Sequence, residues 1–298
     1  MDKIRRFDTI TEYNKFNNNE TLHPLVSLVD LSKANPREGS MMYFGFYTIF
    51  LKEVKCGDLM YGKALYDYQE GTLVFIAPGQ VAGIKSNGEI YQPKGFALVF
   101  HSDLILGTNL AKQIHNYSFF KYQSNEALHI SDREQNIIKE CFSKIAHELQ
   151  NNIDKHSKRL IVSNITLFLD YCLRFYDRQF ITRENFHSGI LGKFENLLNE
   201  YFETENPKTI GLPSVAYCAD KLNLSAGYLG DLVKKQTGAS AQAYIQLKVI
   251  EVAKEKVFDD NKSINEIAYE LGFKYPQHFS RFFKLRVGQS PNEFRSLN

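Results

Sequence analysis

The sequence predicts an α+β chain: a β-barrel-like N-terminal region with a helical hairpin behind it, then an all-α C-terminal domain holding two helix-turn-helix subdomains. Three observations carry this. The last third states one supersecondary unit twice. Residues 22–106 hold short aromatic and β-branched runs separated by Gly and Pro. Residues 131–179 carry apolar positions at helical spacing behind a capping signature. At 298 residues and 43% hydrophobic content the chain is long enough for about two domains with cores of their own.

In chain order, residues 43–50, 73–77 and 95–100 read as strands, and Gly57, Gly62, Gly71, Gly79, Gly88 and Pro93 punctuate them at hairpin-like intervals. That spacing favours a small antiparallel barrel or jelly roll. Such a barrel can enclose one small ligand, with Tyr43, Phe46, Tyr66 and Tyr68 as candidates for its mouth; the plainer role for each is core or sheet surface. His101 follows a strand without a second His or carboxylate at metal-binding spacing, so it reads as structural, and neither metal nor cofactor is expected. Ser131 and Glu134 form a capping box ahead of Ile137, Ile138, Cys141, Phe142, Ile145 and Leu149. A second helix runs over about 157–179, with a stripe broad enough to cover both the barrel and a second subunit. The polar stretch 182–189 reads as a linker between a domain at 1–181 and one at 190–298.

The repeat lies at about 214–237 and 263–287. Ser214-Val-Ala-Tyr-Cys-Ala-Asp-Lys-Leu222 aligns with Ser263-Ile-Asn-Glu-Ile-Ala-Tyr-Glu-Leu271, at an offset of 49 before the turn and 50 after it. Ser263 with Glu266 forms a capping box, and Gly272 and Asn223 occupy the turns, where a left-handed residue is cheapest. The second helix of each unit has an apolar stripe, Leu229, Leu232 and Val233 in one and Phe279, Phe282 and Phe283 in the other. The opposite faces carry Ala226, Gly227, Gly230, Asp231, Lys234 and Lys235, and Pro276, Gln277, Ser280, Arg281 and Lys284. Small, polar and basic residues together suit close approach to a base edge or a phosphate. For one helix alone a solvated face is the plainer reading; duplication favours the functional one.

Between the copies, residues 241–257 lack Pro and Gly and read as a helical strut of roughly 25 Å, against roughly 34 Å between successive major-groove faces. Some bending of the duplex would close the gap. The net charge of +2 is modest for a nucleic-acid binder, but residues 262–298 hold six Lys or Arg against three Glu, so the basic excess is local. Binding through a few cations should weaken steeply with salt. Cys56, Cys141, Cys172 and Cys218 are scattered and expected to be free thiols. With no run of eighteen apolar residues and no apolar leader at the N-terminus, a cytoplasmic protein without a membrane partner is expected.

Residues 263–295, with Ile267-Ala268, Gly272-Phe273, Phe279-Ser-Arg-Phe-Phe-Lys284, Gly288-x-Ser290-Pro291 and Phe294-Arg295, closely resemble the signature of AraC/XylS-type transcription regulators. The resemblance covers about 190–298 and implies seven helices, two helix-turn-helix subdomains and a linking helix. It implies that the second helix of each subdomain enters the major groove of double-stranded DNA at promoter half-sites. The DNA-binding candidates carried over are Ser225, Ala226, Gly227, Tyr228, Lys234 and Lys235 in the first copy. In the second they are Ser263, Tyr275, Pro276, Gln277, His278, Ser280, Arg281 and Lys284. Two positions depart from the pattern: Asp231 stands where a basic residue is common, and Lys248 where Arg is usual.

Residues 71–80 also resemble a strand-and-turn element of the cupin-like sensor domains found ahead of such DNA-binding halves. Together the resemblances imply an activator that responds to a small-molecule effector, dimerises through the helical hairpin and works with RNA polymerase. A cupin-type enzyme with a DNA-binding tail is the alternative; the chain lacks the His-rich cluster, local triad motif and Gly-rich phosphate loop it would need, so no enzyme is expected. A module whose helix-turn-helix units bind a protein instead of DNA is a further alternative.

Overall fold

The computed structural model of the chain describes residues 4–52, 71–84, 88–122, 126–151, 154–182, 184–259 and 261–297. Cys56, Gly57, Gly62, Tyr66 and Tyr68 lie outside the described residues. Two compact units divide the chain, Met1–Thr182 and Arg183–Asn298.

The first unit begins with β1 (Arg5–Phe7), α1 (Ile10–Phe16), β2 (Val26–Asp30), β3 (Arg37–Glu38), β4 (Met41–Phe44) and β5 (Tyr47–Lys52). It continues with β6 (Thr72–Ile76), β7 (Gln80–Gly83), β8 (Ile90–Tyr91), β9 (Phe96–Phe100), α2 (Ser102–Ile105) and α3 (Asn109–Gln113). It ends with β10 (Leu128–His129), α4 (Asp132–Gln150) and α5 (Ser157–Thr182). The strands make a five-stranded sheet of order β10-β6-β5-β9-β2, a three-stranded sheet β1-β4-β7 and the pair β3-β8. Only β1 with β4 is parallel among the described pairs.

The strands do not close into a barrel among the described residues. The reason lies in what covers the five-stranded sheet. On one face Val29, Val74, Ile76, Ala97 and Val99 join Phe7, Tyr13, Met42 and Phe44 in a common core with the smaller sheet and α1. On the other face, Phe75 packs on Phe119 and Tyr176, and Phe96 on Phe142, so the helical hairpin supplies the second cover. Every residue of β6 is buried, which is what a continuous apolar run means when both faces are covered.

The run 43–50 proves to be two strands in different sheets. Gly45 donates its N–H to Phe7 O at 2.8 Å, and a Cβ at that position would lie 3.1 Å from the Asp8 backbone. This close approach lets the chain leave β4 and enter β5. The hairpin follows the sequence closely: Ser131 accepts from Glu134 N–H at 3.4 Å while Glu134 accepts from Ser131 N–H at 2.9 Å. Ile138, Cys141, Phe142, Ile145 and Leu149 of α4 are buried, as are Ile161, Ile165, Phe168, Leu169, Cys172 and Tyr176 of α5. Leu160 and Leu173 are instead exposed. His101 caps α2, its Nδ1 accepting from Asp103 N–H at 3.2 Å, which is a structural task.

The second unit is all helical among the described residues: α6 (Glu184–Glu203), α7 (Asn206–Ile210), α8 (Val215–Lys221), α9 (Ala226–Thr237), α10 (Ala241–Val257), α11 (Ile264–Glu270), α12 (Pro276–Val287) and α13 (Pro291–Leu297). The polar stretch expected as a linker enters α6 from Glu184 onward. α10 has the bounds expected of the strut and touches α6, α8, α9, α11, α12 and α13, so both helix-turn-helix units are built on one rod. Its buried side is Ile245, Val249, Ile250, Ala253 and Val257; Leu247 is exposed. No helix among the described residues is long and apolar enough to cross a membrane.

Candidate nucleic-acid interface

The two copies have matching skeletons. Each has a 7-residue helix followed by a 12-residue helix. Ser214 accepts from Tyr217 N–H at 3.1 Å, and Ser263 from Glu266 N–H at 3.2 Å, so both first helices start on a serine cap. The turns hold left-handed residues, Asn223 at φ 56° and Gly272 at φ 91°. Both second helices end on left-handed glycines, with Gly238 N–H bonded to Lys234 O and Gly288 N–H to Lys284 O, each at 2.9 Å. Leu229, Leu232, Val233, Phe279 and Phe283 are fully buried, and Phe282 partly so. The apolar stripe therefore anchors each helix and leaves the polar side outside.

A sequence profile described as a helix-turn-helix domain matches residues 218–296. The C-terminal unit is an AraC-type helix-turn-helix domain. The "Uncharacterized transcriptional regulatory protein YesN" of Bacillus subtilis (strain 168) is 32% identical over 111 residues, 36% of this chain and 28% of YesN. The "HTH-type transcriptional activator RhaS" of Yersinia pestis (strain Pestoides F) is 35% identical over 79 residues, 26% of this chain and 29% of RhaS. The chain thus spans less than a third of the length of these curated relatives. The solved C-terminal domain of AraT, a response regulator from Geobacillus stearothermophilus, is 26% identical, covers 37% of this chain and 85% of that one, and has a TM-score of 0.33.

Within the AraC-type domain, Ala226, Lys234 and Lys235 on α9 are exposed and Gly227 is half-buried. Tyr275, Gln277, His278, Arg281 and Lys284 on and before α12 are exposed, with Pro276 and Ser280 half-buried. Tyr228 departs from the sequence-derived set: its side chain is only 5% exposed and widens the stripe of Leu229 and Leu232. Its counterpart His278 is exposed and meets Tyr275 edge-on at 5.3 Å. Ser225 is buried and accepts from Tyr228 N–H at 3.1 Å, so it is a cap, as Ser263 is for α11. The two serines set where helices begin.

Several cations of the domain are occupied internally. Arg295 donates through Nε to Val257 O at 2.6 Å and through Nη2 to Asp259 O at 3.3 Å and Lys262 O at 3.0 Å, clamping the end of α10 to the start of the second unit. Lys262 pairs with Glu270 at 2.7 Å and Lys256 with the same carboxylate at 3.4 Å. The Lys262 hydrogen bond, ahead of the opposing effect of burial, holds Glu270 below the usual carboxylate range. Lys248 pairs with Glu251 at 3.1 Å, and Arg286 reaches Gln246 of α10. Among the described residues the side chains of Lys234 and Arg281 make no hydrogen bond or ion pair, and both residues are exposed. With the exposed Lys235 and Lys284 they leave positive charge on the outward faces of α9 and α12.

The repeat extends past the glycines. Ser240 caps α10 by accepting from Ala243 N–H at 3.2 Å, and Ser290 accepts from Glu293 N–H at 3.3 Å ahead of α13. Tyr244 and Phe294 stand at matching places, the first on Phe194 and the second on Phe283. The Tyr244 hydroxyl donates to Glu195, which pushes the phenol up to about 12. The 50-residue offset of Gly238-x-Ser240 and Gly288-x-Ser290 is the signal that reveals this continuation.

In the first unit a cavity of about 110 Å³ lies between the smaller sheet and the larger one. Met42 and Phe44 of β4 line it with Phe50, Val74, Ile76 and Ala82, and Arg37, Lys52 and Lys94 are its charged neighbours. Tyr43 and Phe46 do not line it among the described residues. Side chains alternate along a strand, so Tyr43 lies on the opposite face of β4 from Met42 and Phe44, beneath Arg6 at 4.0 Å. Phe46, beyond the Gly45 break, is core. On β4 the cavity therefore meets Met42 and Phe44, while Tyr66 and Tyr68 lie outside the described residues. Cys141, Cys172 and Cys218 are free and buried, and no cluster of metal-binding side chains occurs among the described residues.

Proposed function

We propose that this protein is a sequence-specific DNA-binding transcription regulator in which α9 and α12 enter successive major grooves, held by α10. The observation that carries this reading is the pair of equivalent helices with buried apolar stripes and outward Lys234 and Arg281. A helix end with small residues, as at Ala226 and Gly227, admits the backbone close to DNA, while a longer polar face such as Gln277, Ser280 and Arg281 reaches base edges. Lys234, Lys235 and Lys284 serve phosphates. Asp231, opposite Arg281 in the repeat, makes the first helix the weaker anion partner.

The first unit acts as a cupin-like sensor for a small molecule held in its cavity, and the chain works as a cytoplasmic homodimeric activator that engages RNA polymerase. Differential affinity of the ligand for two arrangements of the protein drives the response. Residues 190–298 form the DNA-binding domain, with 182–189 as the junction to the sensor.

Fluorescence anisotropy of the full chain on DNA from the promoter beside its own gene, at rising salt, tests the reading. We expect sequence-selective binding whose logarithm falls linearly with the logarithm of salt concentration. Equal affinity for scrambled DNA at every salt would overturn it.

A further inference from the structure

We infer that the cavity of the first unit takes an organic carboxylate, with the acid group on Arg37 and an apolar body between Phe44, Phe50 and Ile76. The inference rests on reading this unit as ligand-responsive and adds the charge and size of the ligand.

Arg37 lines the cavity from β3. Its Nη1 donates to Asn17 Oδ1 at 3.0 Å, and its guanidinium lies over the Phe16 ring at 4.4 Å. Among the described residues the buried Nε has no hydrogen-bond partner and no carboxylate pairs with this side chain. A buried donor left unmet costs about 1–3 kcal/mol, and more when charged. Such a residue is retained at a cost that an anion would remove. With Nη1 occupied, the Nε edge of the planar fork is the one that matches two carboxylate oxygens. Seating the acid requires that edge to turn toward the cavity, since it is now shut off from solvent.

Neighbouring groups sharpen the assignment. Tyr13 lines the same cavity, and burial pushes its phenol far up, so it stays a neutral hydroxyl and leaves the Arg37 charge uncompensated. Lys94, also on the lining, adds to the positive field. Most of the remaining lining is apolar, Phe44, Phe50, Val74 and Ile76 among it, and Ser40, Lys52, Gln80, Tyr91 and Tyr122 add polar groups. A sugar would bury hydroxyls against the apolar residues without partners, whereas a hydrocarbon body would not. The cavity, about 110 Å³, is somewhat smaller than the roughly 150 Å³ apolar cavity that holds benzene. It fits a body of about six carbons.

Isothermal titration of the full chain with hexanoate, hexan-1-ol and hexan-1-amine tests the inference, with butanoate to decanoate as a length series. We expect hexanoate to bind at least about tenfold tighter than the alcohol, and the amine not to bind. Arg37→Gln should remove that acid preference and leave the alcohol unchanged; Arg37→Lys, which keeps the charge and loses the fork, should fall between. Circular dichroism melts of both variants check folding, and Lys94→Gln should weaken every acid by a smaller factor. Equal affinity for acid and alcohol, preference for the amine, no effect of Arg37→Gln in folded protein, or no binding across the acid series would each overturn the assignment. If the alcohol binds as well as the acid and changes promoter affinity, the sensor reading survives without the carboxylate. If hexanoate binds as expected and promoter affinity stays constant, the carboxylate site stands and the sensor reading fails.

Discussion

The two helix-turn-helix units share a skeleton and differ in what they show outside. Both begin on a serine cap, turn on a left-handed residue, bury a stripe and stop on a left-handed glycine. Yet the first presents Ala226, Gly227 and Asp231 where the second presents Pro276, Gln277 and Arg281. Even the packing differs in grain, with Leu232 and Val233 in one copy and Phe282 and Phe283 in the other. Internal positions answer to the fold, which is the same in both copies, whereas outward positions answer to whatever each helix meets. The duplication therefore separates stability from recognition.

The largest break in the comparison should come from the cores. Phe283→Ala removes a fully buried ring from the second copy and is expected to cost about 3–5 kcal/mol, against about 2–5 for Leu232→Ala in the first. Urea denaturation of each variant measures the difference, and a cost below about 1 kcal/mol for either would show that the stripe is not a packed core. The turns come next. Gly272 has φ 91°, and a Cβ there would lie 2.6 Å from Gly211 C, so Gly272→Ala should cost about 1–3 kcal/mol. Asn223→Gly, at φ 56°, should change stability by only a few tenths of a kcal/mol.

Recognition gives the next effect in size. Arg281→Ala should cost about 1–3 kcal/mol of DNA affinity with relaxed preference at one base pair, while Lys234→Ala should weaken all sequences alike and flatten the salt dependence. Binding measured on a panel of single-base operator variants separates the two. A uniform loss from Arg281→Ala would move that residue from base to phosphate.

The smallest effect is electrostatic. Glu270 is held below its ordinary value by Lys262, so the stability it contributes is present above the unfolded value near 4.5 and is lost as pH falls through the lower folded value. Glu270→Gln should cost under about 1 kcal/mol at neutral pH, because the pair is partly exposed. The gap between variant and parent should close as the solution is acidified below about pH 4. The first copy has Lys221 in that place, set toward the Tyr217 ring at 5.8 Å, so Lys221→Gln should show no matching pH dependence.

The sequence by itself determined the features that depend on neighbours a few residues away. Serine caps and capping boxes, left-handed turns at Asn223 and Gly272, and the bounds of α10 follow from bonds spanning three to five residues, and the repeat made them visible twice. Tertiary structure decided what depends on distant partners. Nothing near residue 43 in the chain says whether Met42 and Phe44 or Tyr43 will face the cavity, because strand parity is fixed by pairing with β1 and β7. Nor does the local pattern say that Tyr228 turns inward while His278 stays out. Arg295 stands in a motif that resembles a recognition family, yet its three carbonyl partners lie 33 to 38 residues earlier. Arg37 looks like an ordinary surface cation until β3 sets it beside Asn17, Phe16 and the cavity. Short-range hydrogen bonds leave a signature in sequence; the direction of a side chain across a sheet, and the occupation of a charge by remote backbone, are settled only when the chain closes on itself.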